Sequence, residues 1–165
     1  MAVELESFHR LSDKWTFWAH LPHDTDWTIK SYKSLLTVST VEEMIAILDC
    51  LPATLVNNCM LFMMKEGVMP LWEDIHNCQG GCFSYKINNN HVKQVWDELC
   101  CLVVGKTISK DINFVNNITG ITISPKKSFC IMKIWMKDCS QQNITKINHI
   151  NNLSSQGCLF KKHLR

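Results

Sequence analysis

The sequence predicts a single α+β domain. Segments of alternating apolar residues, which suit strands, are mixed with segments of helical spacing. The two kinds follow one another without a strand–helix–strand rhythm, which speaks against a parallel sheet. A chain of 165 residues, 46% apolar and 19% charged, suits one compact core better than a disordered polymer.

The elements follow in order. Lys14 to His20 is a strand rich in Trp and Phe. After the polar turn Pro22 to Asp26, Trp27 opens a second strand that runs to about Val38. Ser39 and Thr40 then offer N-caps, with Glu42 and Glu43 as capping-box partners. Val41, Met44, Ile45 and Leu48 carry that helix on, and Pro52 lies just past its end. Asn58 to Lys65 is an apolar strand, Glu66 to Gly81 a loop, and Cys82 to Ile87 a strand again. A second helix begins near Asn90, places Val92, Val95, Trp96, Leu99 and Val103 on one face, and stops at Gly105. Thr119 to Ser124 and Ser128 to Lys137 form a strand pair around the turn Pro125-Lys126-Lys127. A third helix is expected over Gln141 to Leu153, and Cys158 to Lys162 reads as a short last strand. The count is about seven strands and three helices.

Composition excludes several classes. No apolar run reaches the roughly 18 residues of a membrane span. The N-terminus mixes Glu4, Glu6 and His9 with apolar residues, unlike a signal peptide. A net charge of +2 is too small for a protein that coats long nucleic acid, yet sufficient to grip one nucleotide end. The nine cysteines are odd in number, and Cys50, Cys59, Cys100, Cys101, Cys130 and Cys158 lie in apolar stretches as small hydrophobes. A reducing cytoplasm is therefore expected. Nothing suggests a coiled coil, so a monomer is expected.

Six tryptophans stand out. A strand tryptophan usually packs in the core, and Trp15 and Trp96 fit that reading. Trp27, after Asp24-Thr25-Asp26, and Trp72, in Pro70-Leu71-Trp72-Glu73-Asp74, sit instead in loops. Two indole faces attract a cation held between them, by up to about 2 kcal/mol per face when water is excluded. A guanine methylated at N7 is such a cation. The Glu73 carboxylate can accept two hydrogen bonds from the guanine N1–H and amine, worth roughly 1–3 kcal/mol of discrimination. Lys126 and Lys127, together on a turn, could meet phosphates, although a solvated turn is the ordinary role of such a pair.

With these pieces in order, the sequence resembles the translation initiation factor 4E family, the mRNA cap-binding proteins. The resemblance runs from His9-Arg10-Leu11 and Lys14-Trp15-Thr16-Phe17-Trp18, through Trp27, Ser39-Thr40-Val41-Glu42-Glu43, Pro70-Leu71-Trp72-Glu73-Asp74, Gly80-Gly81, Trp96 with Gly105 and Ile134-Trp135, to about Phe160. It implies a single curved antiparallel sheet of about seven or eight strands, with three helices on its convex face and the cap on the concave side. A tail over residues 1–8 would precede a cap-binding domain over 9–165. By motif position, Trp27 and Trp72 would sandwich the base and Glu73 would read it. The backbone N–H of Glu73 would take the guanine O6, Trp135 would touch the methyl group, and Lys126 would meet a phosphate. The resemblance implies a binding protein rather than an enzyme, with no cofactor.

The sequence also departs from the family. Cys82 stands where many members carry Arg, and Ser128 and Ile131 where Lys is common. Strand alternation puts Lys133 on the face of Trp135, so Lys133 and Lys127 are the expected substitutes. On the opposite, dorsal surface the family receives a helix bearing Tyr-x-x-x-x-Leu-apolar, from a scaffold factor of the 4G type or a 4E-binding repressor. His9, Leu11, Val41, Glu98 and Cys101 belong to that surface. Ile45 stands where a Trp is usual and Asp97 where Leu is frequent, so altered partner binding is expected. The chain ends shortly after Lys161-Lys162, which predicts a truncated C-terminal loop and little dependence on the second nucleotide. Abundant Asn, Ile and Lys suit an A/T-rich genome and, with short tails, a pared-down homologue of viral type.

Three other readings remain at this point. The same fold could act as a translational repressor or decoy that recruits no scaffold. His76-x-Cys78-x-x-x-Cys82 with His91 could hold zinc, although the spacing matches no familiar knuckle. A cysteine or serine hydrolase would need a nucleophile motif, and none is present in the sequence.

Overall fold

The computed structural model describes residues 7–163. Residues 1–6 of the expected tail and 164–165 at the end of the expected domain lie outside the described residues.

Seven strands form one sheet: β1 (Arg10–His20), β2 (Tyr32–Thr40), β3 (Met60–Lys65), β4 (Gly81–Asn88), β5 (Ile118–Pro125), β6 (Phe129–Met136) and β7 (Leu159–Lys162). The order is β2-β1-β3-β5-β6-β4-β7, and every pairing is antiparallel. The sheet is open and curved. Strand alternation gives it two distinct faces. Trp15, Phe17, Leu61, Met63, Phe83, Tyr85, Ile121, Ile123, Met132 and Ile134 point into the main core. Trp18, Phe62, Met64, Cys82 and Trp135 make a smaller cluster on the other face.

The helices are α1 (Val41–Cys50), α2 (Ala53–Asn58), α3 (Val92–Val104) and α4 (Ile112–Asn117). Each buries side chains in the main core: Met44 and Leu48, Val56, Trp96 and Leu99, and Phe114 respectively. That leaves the opposite face of the sheet open. The expected capping box is formed at Thr40, which accepts from the Glu43 N–H while Glu43 takes the Thr40 N–H. At the end of α3, Gly105 is the C-cap, but the left-handed residue is Lys106, with φ 57°. Thr107 N–H then bonds Leu102 and Lys106 N–H bonds Val103, a Schellman closure.

Two expectations fail. Trp27 does not open a strand; it stays in a loop, a 3-10 turn covers Ile29–Ser31, and β2 starts only at Tyr32. Gln141 to Leu153 is not a helix. It holds a 3-10 turn at Ile144–Lys146 and a bridge between Ile150 and Leu153. Asn143 caps that turn with its side chain, and Asn148 donates to the Thr107 carbonyl, so side-chain bonds compete with the helix. α2 and α4 are additional to the three expected helices; Pro52 lies just past the end of α1, as expected, and is also the N-cap of α2.

Candidate functional site

The Trp72 loop is held by two polar side chains. Asn77, fully buried, donates to the Met69 and Leu71 carbonyls and accepts from the Thr119 hydroxyl at 2.7 Å. Asp74 accepts from the N–H groups of Met69 and His76 and from the His76 ring. Burial pushes the Asp74 carboxyl up, but these bonds outweigh it and hold the group below its ordinary range. A side chain at Gly80 would collide with the Met136 carbonyl at 1.7 Å, and one at Gly81 with the Lys161 carbonyl at 2.4 Å. The glycine pair lets the loop end between β6 and β7. Trp72 and Glu73 are displayed at the surface, with Trp72 49% exposed.

Trp27 lies on a second ordered loop. Asp24 accepts the Asp26 N–H, and Asp26 accepts both the N–H and hydroxyl of Thr28. The Trp27 ring stacks on His20, with centroids 4.1 Å apart and planes 3° apart. His20 is buried, its Nε2–H donates to the Asp26 carbonyl, and Tyr32 meets it edge-on. Trp27 is 59% exposed, so one face is covered and the rest is open. Burial, and then the nearby Glu73 carboxylate, raise the Tyr32 hydroxyl, which ties the two loops electrostatically.

Between Trp72 and the sheet lies a cavity of about 270 Å³, lined by Trp72, Cys82, Ser84, Lys133, Trp135, Lys161, Lys162 and His163. Trp135 is nearly buried, and its indole N–H is fixed by the Thr122 hydroxyl at 2.8 Å. His163 donates from Nδ1 to the Asn77 carbonyl, so its Nε2 accepts the Cys82 thiol at 3.0 Å. Burial pushes that thiol up to about 12, against a smaller opposing effect of Lys133. A thiol so strongly held in its protonated form is not a nucleophile. Burial also lowers the basicity of His163, assisted by Lys133 and opposed by the Asn77 bond and Glu73.

The structure thus gathers Trp72, Trp135 and Lys133 around one cavity, with Glu73 within electrostatic reach of both Tyr32 and His163. Trp27 stands on the neighbouring loop and does not line the cavity. Lys126 and Lys127 are exposed on the β5–β6 turn, outside it. Sequence reasoning missed His20, Lys161 and His163. A larger hollow of about 560 Å³ lies behind the sheet, between Tyr85 and the irregular segment 144–155, away from all of these tryptophans.

On the helix side, His9 is paired with Glu42, and Val41, Ile45 and Cys101 are exposed. Leu11 packs on the core, Glu98 is half-buried, and Asp97 forms an ion pair with Lys93, which also donates to the Leu48 carbonyl. Of the expected small-hydrophobe cysteines, Cys50 and Cys101 prove to be exposed. The zinc quartet is not assembled: His76 is taken by Asp74 and Cys82 by His163. Among the described residues, no three His, Cys, Asp or Glu side chains gather as a metal-binding group.

Comparison with known proteins follows the same lines. Residues 10–163 match the family profile "Eukaryotic initiation factor 4E". The chain is 31% identical over 159 residues to eukaryotic translation initiation factor 4E of Candida albicans, spanning 87% of this chain and 72% of that one. An initiation factor 4E homolog of Acanthamoeba polyphaga mimivirus is 29% identical over 112 residues, 58% of this chain and 40% of its own. A schistosome eIF4E, solved with m7GpppG and 4E-BP, shares the fold at a TM-score of 0.74 and 23% identity, over 82% of this chain and 76% of that one. C. elegans eIF4E-3, solved with the 4E-binding protein Mextli, gives 0.72 at 20% identity, over 81% and 78%.

Proposed function

This chain belongs to the eukaryotic initiation factor 4E family, and on that premise we propose that it binds the 7-methylguanosine cap of mRNA and serves translation initiation in the cytoplasm. The family is one of binding factors, not enzymes. The observation that carries the reading is the placement of exposed Trp72 above a cavity walled by Trp135 and lysines, with the Glu73 carboxylate at its side. The methylated base enters between the indoles of Trp72 and Trp27, Trp27 being backed by His20. Glu73 accepts from the guanine N1–H and amine, its backbone N–H meets O6, and Trp135 meets the methyl group. The phosphates run toward the lysines, and Lys126 and Lys127 extend the basic edge along the β5–β6 hairpin. The protein works as a monomer. Retention on immobilised 7-methyl-GTP, with release by free 7-methyl-GTP and not by GTP, tests this; release by both nucleotides alike refutes it.

A second reading concerns the role. The dorsal face, built from His9, Leu11, Val41, Ile45, Asp97, Glu98 and Cys101, is proposed to take a Tyr-x-x-x-x-Leu-apolar helix of a 4G-type scaffold or a 4E-binding protein. Ile45, 51% exposed, offers no aromatic anchor there. That makes a repressor or decoy the alternative to the initiation role. Co-purification of a scaffold with the cap-bound protein would reject the repressor reading.

A further inference from the structure

We propose that Lys133 of β6 and Lys161 of β7 form the clamp for a nucleotide 5′-polyphosphate, across a floor made by Cys82 and Ser84 of β4. The proposal rests on the cap-binding reading and adds to it the residues that hold the phosphate chain.

The register places the two lysines. Lys133 faces Ser84, and Lys161 faces Cys82, two residues along the same strand. All four side chains line the same cavity. Adjacent strands are about 4.8 Å apart, so the lysines are rooted about 10 Å apart across β4 and about 7 Å apart along it. Two flexible four-carbon side chains close that distance onto one anion. Directly facing residues have Cβ atoms about 5 Å apart, so Lys161 delivers its charge beside the uncharged Cys82 position of β4.

The electrostatics point the same way. The cavity lining holds Lys133, Lys161 and Lys162 and no carboxylate. Among the described residues, none of these three ammonium groups has a carboxylate partner, although five other ion pairs form. His163 has both ring nitrogens committed, one donating to Asn77 and the other accepting from Cys82, and contributes no charge. In a chain of net charge +2, this is a strong local concentration of positive charge beside the displayed Trp72.

The test compares 7-methylguanosine with its mono-, di- and triphosphates, and inorganic tripolyphosphate, in the wild type, Lys133→Met, Lys161→Met and the double variant. Methionine keeps the apolar stem, and circular dichroism verifies folding. The triphosphate-over-nucleoside affinity ratio should fall about tenfold per lysine. The salt slope should fall by about one per lysine. Tripolyphosphate binding should weaken in parallel. An unchanged ratio, salt slope and tripolyphosphate affinity in the double variant overturns the clamp. If the wild type ignores the nucleoside yet binds tripolyphosphate through these lysines, the base-sandwich reading fails while the clamp stands.

Discussion

Replacing His20 by alanine tests how Trp27 is held. The His20 ring lies parallel to the indole at 4.1 Å, and it is itself fixed by the Asp26 carbonyl and the edge of Tyr32. An aromatic pair of this kind contributes about 0.5–1.5 kcal/mol. Without it, Trp27, already 59% exposed, regains its side-chain freedom and must be ordered again when ligand enters. That ordering costs about 0.5–1.5 kcal/mol. The stack is present with and without ligand, so only this ordering cost reaches affinity: about 1 kcal/mol, roughly a fivefold loss for 7-methyl-GTP. His20→Phe keeps a ring beneath the indole and should recover most of the loss. The assay is titration by intrinsic fluorescence, with thermal unfolding to show that both variants fold, because His20 is a buried strand residue. If His20→Ala binds 7-methyl-GTP like the wild type, Trp27 does not work through its stack on His20, and the reasoning fails.

Other outcomes follow from the same geometry. Asn77→Ala leaves a buried Thr119 hydroxyl and two carbonyls without partners; it should cost about 3 kcal/mol. In a chain of this size that lowers Tm by about 6–12 °C in a thermal melt, and an unchanged Tm contradicts the role given to Asn77. His163 has its folded pKa lowered, so as pH falls below about 6.5 the unfolded chain takes a proton that the folded one refuses. Its contribution to stability is therefore lost on acidification, and as pH is lowered urea midpoints should fall more steeply in the wild type than in His163→Gln; parallel curves contradict this. Ile45→Trp supplies an aromatic anchor on the dorsal face and should tighten a Tyr-x-x-x-x-Leu-apolar peptide by about 2 kcal/mol, roughly thirtyfold. Calorimetry showing no gain would remove Ile45 from that surface.

The strands were legible because one face of the sheet is buried and period-2 alternation marks it: Trp15, Phe17 and Ala19 point into the core while Thr16, Trp18 and His20 point away. Helix α1 was legible from Thr40 and Glu43, and α3 from its apolar stripe. The segment 141–153 misled because Ile144, Ile147, Ile150 and Leu153 recur at threefold spacing. Here they anchor an irregular chain into the core, while asparagines bond locally. The short helices α2 and α4 have six residues each, too few for a periodic signal. Among candidate site residues, loop tryptophans flanked by acids and prolines were visible in the sequence. Lys133 was visible because it shares the parity of Trp135. Lys161 and His163 were not, since their value depends on β7 pairing with β4, a contact between residues about eighty apart in the chain. Strand alternation could have placed His20 on the Trp18 face, but no sequence signal announced its stack with Trp27.

The central claim is that Trp27 and Trp72 grip a methylated, positively charged guanine. Quenching of intrinsic tryptophan fluorescence by 7-methyl-GTP, with GTP as control and Trp27→Ala and Trp72→Ala alongside, tests it most directly. The account predicts strong, saturable quenching by the methylated nucleotide alone, lost in either variant. Equal weak responses to both nucleotides would contradict it.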